Sequence, residues 1–264
     1  MENEITKIPI LRLTEEDRSD IEDIVVREFP LTIILNNQEL VTLLCSPVNL
    51  KYLAVGFLLS EGLLKSKEEV KKIIVDERKG VVRVETEGVG EVDRDVLFKR
   101  LITSGCGRGA SFYSAADVQS QAKIESSLEM PTHNVIALMH EFQHCSQVFR
   151  ATGGVHSAGL CDTKDILAFS EDIGRHNAID KIFGQCLLED IPTDDRLIVT
   201  SGRVSSEILL KVAKRNIPTL ISKSAPTDLG VKLANDLGMT LIGFVRGRRF
   251  NIYANSWRVR TDRE

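Results

Sequence analysis

The second half of this 264-residue chain alternates short apolar runs with longer amphipathic stretches. Runs of strand length and composition occupy residues 155–161, 166–171, 196–201, 218–224 and 240–245. Stretches with helical periodicity occupy residues 134–150, 176–189, 205–216 and 228–238. Strands interleaved with helices of this length form βαβ units, in which helices cover both faces of one sheet. We therefore expect a C-terminal three-layer α/β/α domain.

The first half has a different pattern and is predicted to be α+β. Two β-rich runs flank Asn36-Asn37, and two more flank Lys79-Gly80, so that each pair indicates a hairpin. The stretch between these pairs has helical periodicity that stops at Gly62. A charged, weakly periodic segment at 120–130 precedes a helix-start signal at Pro131 and is the best linker candidate. Two domains are predicted, at residues 1–127 and 128–264.

Composition is that of a soluble globular protein, with 42% hydrophobic and 27% charged residues. A net charge of −4 argues against a nucleic-acid partner. No apolar run approaches the ~20 residues that span a bilayer, and the acidic N-terminus does not resemble a signal peptide. The five cysteines are scattered, without CxxC spacing, which favours a reducing compartment and a cytoplasmic location.

One cysteine stands in a setting that favours reactivity. Cys106 lies among three glycines and next to Arg108 in the sequence TSGCGRG. Small neighbours expose a thiol, and a nearby cation favours its thiolate form. The alternative interpretation is a glycine-rich turn in which a small cysteine is semi-buried.

A dense polar cluster at 170–181 lies where a strand is predicted to meet a helix. Backbone N–H groups at a helix start attract anions, and Arg175, His176 and Lys181 could add contacts to a phosphate. A purely structural interpretation is also open. In it Glu171 and Asp172 pair with Arg175 and Lys181, while the neighbouring asparagine caps the helix.

Ligands of open α/β sheets bind beyond the carboxyl ends of the strands. Three segments follow predicted strands directly, at residues 200–203, 222–224 and 244–249. The last segment has three arginines around Gly247, and arginine matches phosphate in a bidentate manner and stacks on purine rings. A solvated basic loop is the alternative.

Two further patterns bear on metal chemistry. His140, Glu141 and His144 match the H-E-x-x-H motif, which makes a zinc hydrolase the rival hypothesis. The extended form of the motif and an evident third ligand are missing, so we expect no metal site. His156 begins a His-Ser-Ala sequence in place of the H-x-E of zinc deaminases, and no later P-C-x-x-C follows, which argues against deaminase chemistry.

Ordered segments across nearly the whole chain resemble the formate dehydrogenase accessory sulfurtransferase family (FdhD/NarQ type). These segments are LAVGFLLSEGLL, SGCG, TGGVHSAGL, EDIGRHNAIDKI, TSGRVSSEIL and LIGFVRGRRFNIYA. The resemblance implies a sulfur carrier that accepts sulfur on Cys106 from a cysteine desulfurase. It further implies transfer of this sulfur to a molybdenum bis-molybdopterin guanine dinucleotide cofactor, needed by formate dehydrogenase.

The same resemblance implies a homodimer and a cytidine-deaminase-like fold for the second domain. It places cofactor contacts on Phe244, Val245, Arg246, Gly247, Arg248 and Arg249. Additional contacts are expected from Arg175, His176, Ser201 and Arg203. Many family members carry a second cysteine in the C-G-x-C loop, but this chain has Gly109 there. A non-catalytic cofactor-binding chaperone is the alternative function.

Overall fold

The computed structural model describes residues 3–87 and 121–261. In the first range lie β1 (Ile5–Leu13), β2 (Arg18–Val26), β3 (Phe29–Leu35), β4 (Gln38–Cys45), α1 (Leu50–Ser60), β5 (Val70–Asp76) and β6 (Val81–Thr86). The second range begins with β7 (Met130–Pro131), α2 (Thr132–Cys145), α3 (Gln147–Thr152), β8 (His156–Cys161) and β9 (Ile166–Asp172). It continues with α4 (Arg175–Leu188), β10 (Leu197–Thr200), α5 (Ser206–Ala213), β11 (Thr219–Ser222), α6 (Asp228–Asp236), β12 (Thr240–Arg246), β13 (Arg249–Ala254) and β14 (Val259–Arg260).

A four-stranded sheet in the order β4-β3-β6-β5 is covered on one face by α1. Both predicted hairpins are confirmed, since β3 pairs with β4 and β5 with β6 in antiparallel register. Asn36 and Asn37 adopt φ of 47° and 67°, the left-handed conformation that a tight two-residue hairpin turn requires. Alternate residues of β3 face α1 and are buried, which is the period-2 pattern of a half-buried strand.

The antiparallel ribbon of β1 and β2 was not predicted. Most of its side chains are exposed, so the apolar alternation that identifies a half-buried strand is weak there. Its inner end packs beside α3, where Val26 lies against the backbone of Gly154. The β-rich run predicted before Asn36-Asn37 is divided between β2 and β3.

A six-stranded sheet in the order β13-β12-β11-β10-β8-β9 forms the centre of the second half. Helices α4, α5 and α6 pack on one face through one apolar cluster, and α2 packs on the other face through a second cluster. The prediction of a sheet covered on both faces is thus confirmed. Parallel pairing joins β10, β11 and β12. The pairings of β8 with β10, β9 with β8 and β13 with β12 are antiparallel.

The helix predicted over 134–150 is two helices, α2 and α3, that meet at Ser146. Ser146 Oγ donates to the carbonyl of Phe142 and lies 2.8 Å from Ser157 Oγ. Both carboxylate oxygens of Glu171 accept hydrogen bonds from the first turn of α3, at Val148 N and Phe149 N. These side-chain partners replace helical hydrogen bonds and allow the chain to turn between the two helices.

Helices α1 and α4 make the closest contact between the two halves of the chain. A Cβ on Gly56 would lie 1.7 Å from the carbonyl oxygen of Asp180, and one on Gly184 would lie 1.9 Å from that of Tyr52. The backbones therefore touch directly at both glycines. Within the linker candidate, Ile124 is buried among the apolar residues of the second half, and its N–H donates to Leu237. The boundary at residue 127 stays a prediction.

Within the described residues, no helix combines the length and the apolar character needed to cross a membrane.

Candidate functional site

A cleft of about 610 Å³ lies beyond the carboxyl ends of the three parallel strands. Ser201 follows β10, Lys223 and Ser224 follow β11, and Arg246 ends β12. The remaining wall comes from α2, α3 and the start of β8, with Phe142, Gln143, His144, Ser146, Phe149, Arg150, Gly153, Gly154, Val155, His156 and Ser157. The rule that ligands bind at the carboxyl ends of such strands predicts this location.

The lining of the cleft is cationic. Arg150, Lys223 and Arg246 contribute positive charges, and none of the described lining residues is Asp or Glu. Among residues 3–87 and 121–261, none of these three cations forms an ion pair with a carboxylate. Cations inside a concave surface raise the local concentration of anions. Hydroxyl groups of Ser201 and Ser224 lie at the same edge of the sheet. The cleft is therefore suited to an anionic ligand with polar groups, such as a phosphate ester.

The arginine segment at 244–249 is a β-hairpin rather than a loop beyond a strand. Phe244 to Arg246 belong to β12, Gly247 and Arg248 form the turn, and Arg249 begins β13. Gly247 has φ of 58°, and Phe244 has φ of 52° at a register irregularity of β12. Of the six residues, only Arg246 lines the cleft. Val245 is buried in the core, while Arg248 and Arg249 are exposed outside the lining.

The other predicted contact residues divide between the cleft and its surroundings. Ser201 lines the cleft, whereas Arg203 is exposed outside it. Arg175 begins α4 and packs on Gly202, where an added Cβ would lie 3.0 Å from the Arg175 Cβ. The same added atom would lie 3.6 Å from His156 Nδ1, so Arg175 adjoins the residues that form the cleft edge.

His176 is directed away from the solvent towards Glu207, with 3.6 Å between Nε2 and the carboxylate. Burial, together with the charges of Lys211, Arg175 and His156, lowers the pKa of His176 to about 3. The pKa of His156 is also lowered, by burial and by Arg175. Both imidazoles are therefore neutral at physiological pH. His156 lines the cleft and can offer a hydrogen bond to a ligand there, whereas His176 is not part of the lining.

The polar cluster at 170–181 is largely structural. Asp172 and Lys181 form a fully buried ion pair at 2.7 Å, as the structural interpretation predicted. The predicted pairing of Glu171 with Arg175 is wrong, because Glu171 instead holds the start of α3. Asn177 does not cap its own helix and donates to Asp172 Oδ1 and to the carbonyl of Leu44.

The H-E-x-x-H residues lie on one exposed side of α2. His144 Nδ1 is 2.8 Å from the carbonyl oxygen of His140, one turn earlier, and the two rings lie 4.3 Å apart. Both histidines and Glu141 are exposed. Across residues 3–87 and 121–261, no group of three or more His, Cys, Asp or Glu side chains is placed to hold a metal ion.

Four of the five cysteines fall within the described residues, and all four are free thiols. Burial raises the pKa of Cys45 and of Cys186 to about 12, and it raises that of Cys161 still further. Cys145 is half-buried, and its pKa is raised by burial and by Glu141. Cys106 and its glycine-rich segment lie outside the described residues.

Sequence reasoning missed the wall that α3 contributes to the cleft. Phe149 and Arg150 were assigned to a continuous helix, and their side chains line the cleft only because α2 and α3 are separate. The Gly153-Gly154 pair marks the end of α3, where Gly153 has φ of 67°, but it does not indicate the break at Ser146.

Fold and cleft together define an α/β protein with a cationic cleft at the carboxyl ends of three parallel strands. The sequence model of the FdhD/NarQ family matches residues 26–260, so the chain belongs to that family and the resemblance is confirmed. The chain is 44% identical over 261 residues to the sulfur carrier protein FdhD of Bacillus subtilis, covering 98% of this chain and 100% of that protein. It is 41% identical over 253 residues to the protein of the same name in Staphylococcus aureus strain MRSA252, with 95% of each chain covered.

A solved structure supports the fold. A protein from Desulfotalea psychrophila, whose crystal structure was assigned to a formate dehydrogenase accessory protein, superposes with a TM-score of 0.80. The two chains are 25% identical, and the match covers 97% of this chain and 100% of the other. The mixed α/β architecture with several sheets is therefore shared with this protein.

Proposed function

We propose that this chain carries sulfur on Cys106 to the molybdenum bis-molybdopterin guanine dinucleotide cofactor destined for formate dehydrogenase. In this proposal the cationic cleft holds a guanine-nucleotide end of the cofactor while Cys106 approaches the metal end. The names of the relatives support this proposal. Those from Bacillus subtilis and Staphylococcus aureus are named sulfur carrier proteins, and the structural relative is assigned as a formate dehydrogenase accessory protein. The cofactor is the substrate of the carrier and not a resident group.

The composition of the cleft wall is the observation that supports binding of the cofactor in the cleft. Three cationic side chains and several hydroxyls line it, and its described lining has no carboxylate. A volume of about 610 Å³ is within the ~300–1,000 Å³ of small-ligand sites. Arg246, the residue of the 244–249 segment that lines the cleft, is proposed to contact the cofactor.

The sulfur part requires a thiolate. Cys106 thiolate attacks the sulfane sulfur of a cysteine desulfurase persulfide, the new S–S bond forms on Cys106, and the desulfurase cysteine leaves as a thiolate. Cys45, Cys161 and Cys186 are unsuited to this step, because they are buried and keep their protons at neutral pH. Cys106 and the half-buried Cys145 therefore stay as candidates for the thiol that accepts sulfur.

Release of the carried sulfur as sulfide needs two electrons, which a second thiol supplies when it forms a disulfide with Cys106. Gly109 replaces the second loop cysteine of many family members. In this proposal the second thiol belongs to Cys145 or to a partner protein. The proposal further includes a homodimer and a cytidine-deaminase-like second domain whose His156-Ser157-Ala158 stands in place of the deaminase motif.

Intact-protein mass spectrometry after incubation with a cysteine desulfurase and cysteine tests the sulfur part. Wild type and the control Cys145→Ala should gain the mass of one sulfur atom, and reduction should remove it. Cys106→Ala should gain none while retaining the wild-type unfolding transition. Equal sulfur loading of Cys106→Ala would reject the relay and leave a cofactor-binding chaperone.

A further inference from the structure

We propose that Phe149 is a stacking platform for the nucleobase of the ligand in the cationic cleft. This inference rests on the proposed function, because it assigns one wall of the same cleft to one part of the ligand. A nucleotide combines a flat π-system with phosphate, and the cleft presents an exposed aromatic ring together with three cations.

Phe149 differs from Phe142, the other phenylalanine of the lining. Phe142 is 1% exposed and packs edge-on against Phe169, with ring centroids 5.5 Å apart, so its ring belongs to the core. Phe149 is 38% exposed, and no other phenylalanine among the described residues is exposed to this degree. Because this exposed ring stands in the wall of the cleft, its face is accessible to a flat ligand.

A cation already occupies the space above the Phe149 ring. Lys223 Nζ lies 5.7 Å from the ring centroid, within the range of a cation–π contact. Lys223 follows β11 at the edge where Ser224 and Arg246 also line the cleft. A base that stacks on the ring replaces this contact and frees the ammonium group to pair with the phosphate of the same ligand.

The backbone of Phe149 is held in position by the buried carboxylate of Glu171. Glu171 Oε1 accepts from Phe149 N and Glu171 Oε2 from Val148 N, both at 3.0 Å. Glu171 lies on β9, within the central sheet, and its side chain is largely buried. The ring is therefore carried by a short helix whose start is fastened to the sheet, which limits the entropy lost when a base stacks on it.

Stacking of a base on an aromatic side chain changes affinity by about tenfold to a hundredfold. Stacking tolerates every base, because each has a π-face. Phe149 is thus expected to strengthen binding of a nucleotide relative to its phosphate part alone. It is not expected to select guanine over adenine.

Calorimetric titration at fixed salt with guanosine diphosphate and with inorganic pyrophosphate separates the base from the phosphates. Wild type should bind guanosine diphosphate more tightly than pyrophosphate. Phe149→Ala should weaken guanosine diphosphate by about tenfold to a hundredfold and leave pyrophosphate unchanged. Phe149→Tyr keeps an aromatic face and should bind like wild type. Leu229→Ala, which shortens a side chain 60% exposed on α6, is the matched control and should change neither ligand.

Four outcomes would overturn the assignment. The first is that guanosine diphosphate binds Phe149→Ala as tightly as it binds wild type. The second is that wild type binds guanosine diphosphate no more tightly than pyrophosphate. Both ligands can weaken equally in Phe149→Ala, in which case Phe149 only shapes the cleft. The cofactor part of the proposed function survives these three results. If neither ligand binds wild type, the placement of the cofactor in the cleft fails as well.

Discussion

Lys181 Nζ lies 2.7 Å from Asp172 Oδ2, and neither side chain is exposed to solvent. Both residues of this pair also form hydrogen bonds to Ser46, which lies in the other half of the chain. Asp172 accepts from the N–H of Ser46 and from Gly174 N, and Lys181 donates to the carbonyls of Ser46 and Glu171. A buried pair with this many partners fixes the segment after β4 against the start of α4.

We expect Lys181→Met to lower the free energy of unfolding by about 3–5 kcal/mol, because it leaves the Asp172 carboxylate buried without its cation. Urea denaturation followed by circular dichroism measures the change. The control is Lys67→Met, which removes an exposed ion pair with Asp190 and should cost about 1 kcal/mol or less. Equal losses for the two variants would show that the buried pair has no special role.

The sequence predicted the Asp172–Lys181 pair but not the role of Glu171. The pair joins a strand end to the helix that follows it, so nearness in sequence was enough to suggest it. Glu171 instead binds the start of α3, 22 residues earlier in the chain at Phe149. Local spacing cannot identify such a contact, because it depends on how β9 and α3 pack in the folded protein.

We expect Gly184→Ala to destabilise the protein by more than about 3 kcal/mol, the upper end of the usual cost of overpacking. The new Cβ would lie 1.9 Å from the carbonyl oxygen of Tyr52, and a backbone atom cannot rotate away as a side chain can. The two helices must separate. Gly62→Ala serves as the control, since its added Cβ meets nothing within 4 Å and its φ of 73° should cost about 1–2 kcal/mol. A Gly184→Ala loss no larger than that of Gly62→Ala would contradict direct backbone contact.

Turn chemistry explains which strands were predictable. Asn36-Asn37 and Lys79-Gly80 mark tight turns between runs whose buried faces alternate, so both hairpins follow from local rules. The ribbon of β1 and β2 turns through Thr14 and Asp17, and its strands have little buried surface to impose a pattern. The crossing of α1 and α4 was equally unpredictable, because a glycine inside a helix does not say which backbone it contacts.

We expect His176→Gln to reduce the loss of stability in acid. The pKa of His176 is about 3 in the folded protein, and the ordinary value is 6.5. As the pH falls below 6.5, the unfolded chain binds a proton that the folded chain does not. The free energy of unfolding therefore falls, by up to about 1.4 kcal/mol per pH unit from this group. Well above 6.5, where the histidine is deprotonated in both states, it contributes no pH dependence.

Urea denaturation at about pH 7, 6 and 5 measures this effect as a difference between wild type and His176→Gln. The other titrating groups are common to both proteins and cancel in the difference. Wild type should lose stability more steeply than the variant over this range. Parallel losses would mean that His176 is protonated equally in both states.

The location of the cleft was predictable, but its walls were only partly so. The order of strands and helices in the sequence was enough to place Ser201, Lys223 and Arg246 at one edge of the sheet. The opposite wall, with Phe149 and Arg150, depends on the break between α2 and α3 at Ser146. That break follows from the buried contacts of Glu171 and Ser157, which no local pattern reveals.

We expect the arginines of the β12–β13 hairpin to differ in their contribution to nucleotide binding. The family resemblance treats them as one segment, but only Arg246 lines the cleft, and Arg249 pairs with it across the hairpin from outside the lining. A charge-assisted hydrogen bond to phosphate contributes about 1.5–3 kcal/mol, so Arg246→Ala should weaken guanosine diphosphate about tenfold to a hundredfold. The affinity of Arg246→Lys should lie between those of wild type and Arg246→Ala, because an ammonium group restores the charge but not the planar fork that contacts two oxygens.

Arg249→Ala is the matched control. It should change affinity less than Arg246→Ala at the same salt concentration, since a charge outside the cleft is screened. An equal fall for both alanine variants would mean that the ligand extends over the hairpin, outside the cleft.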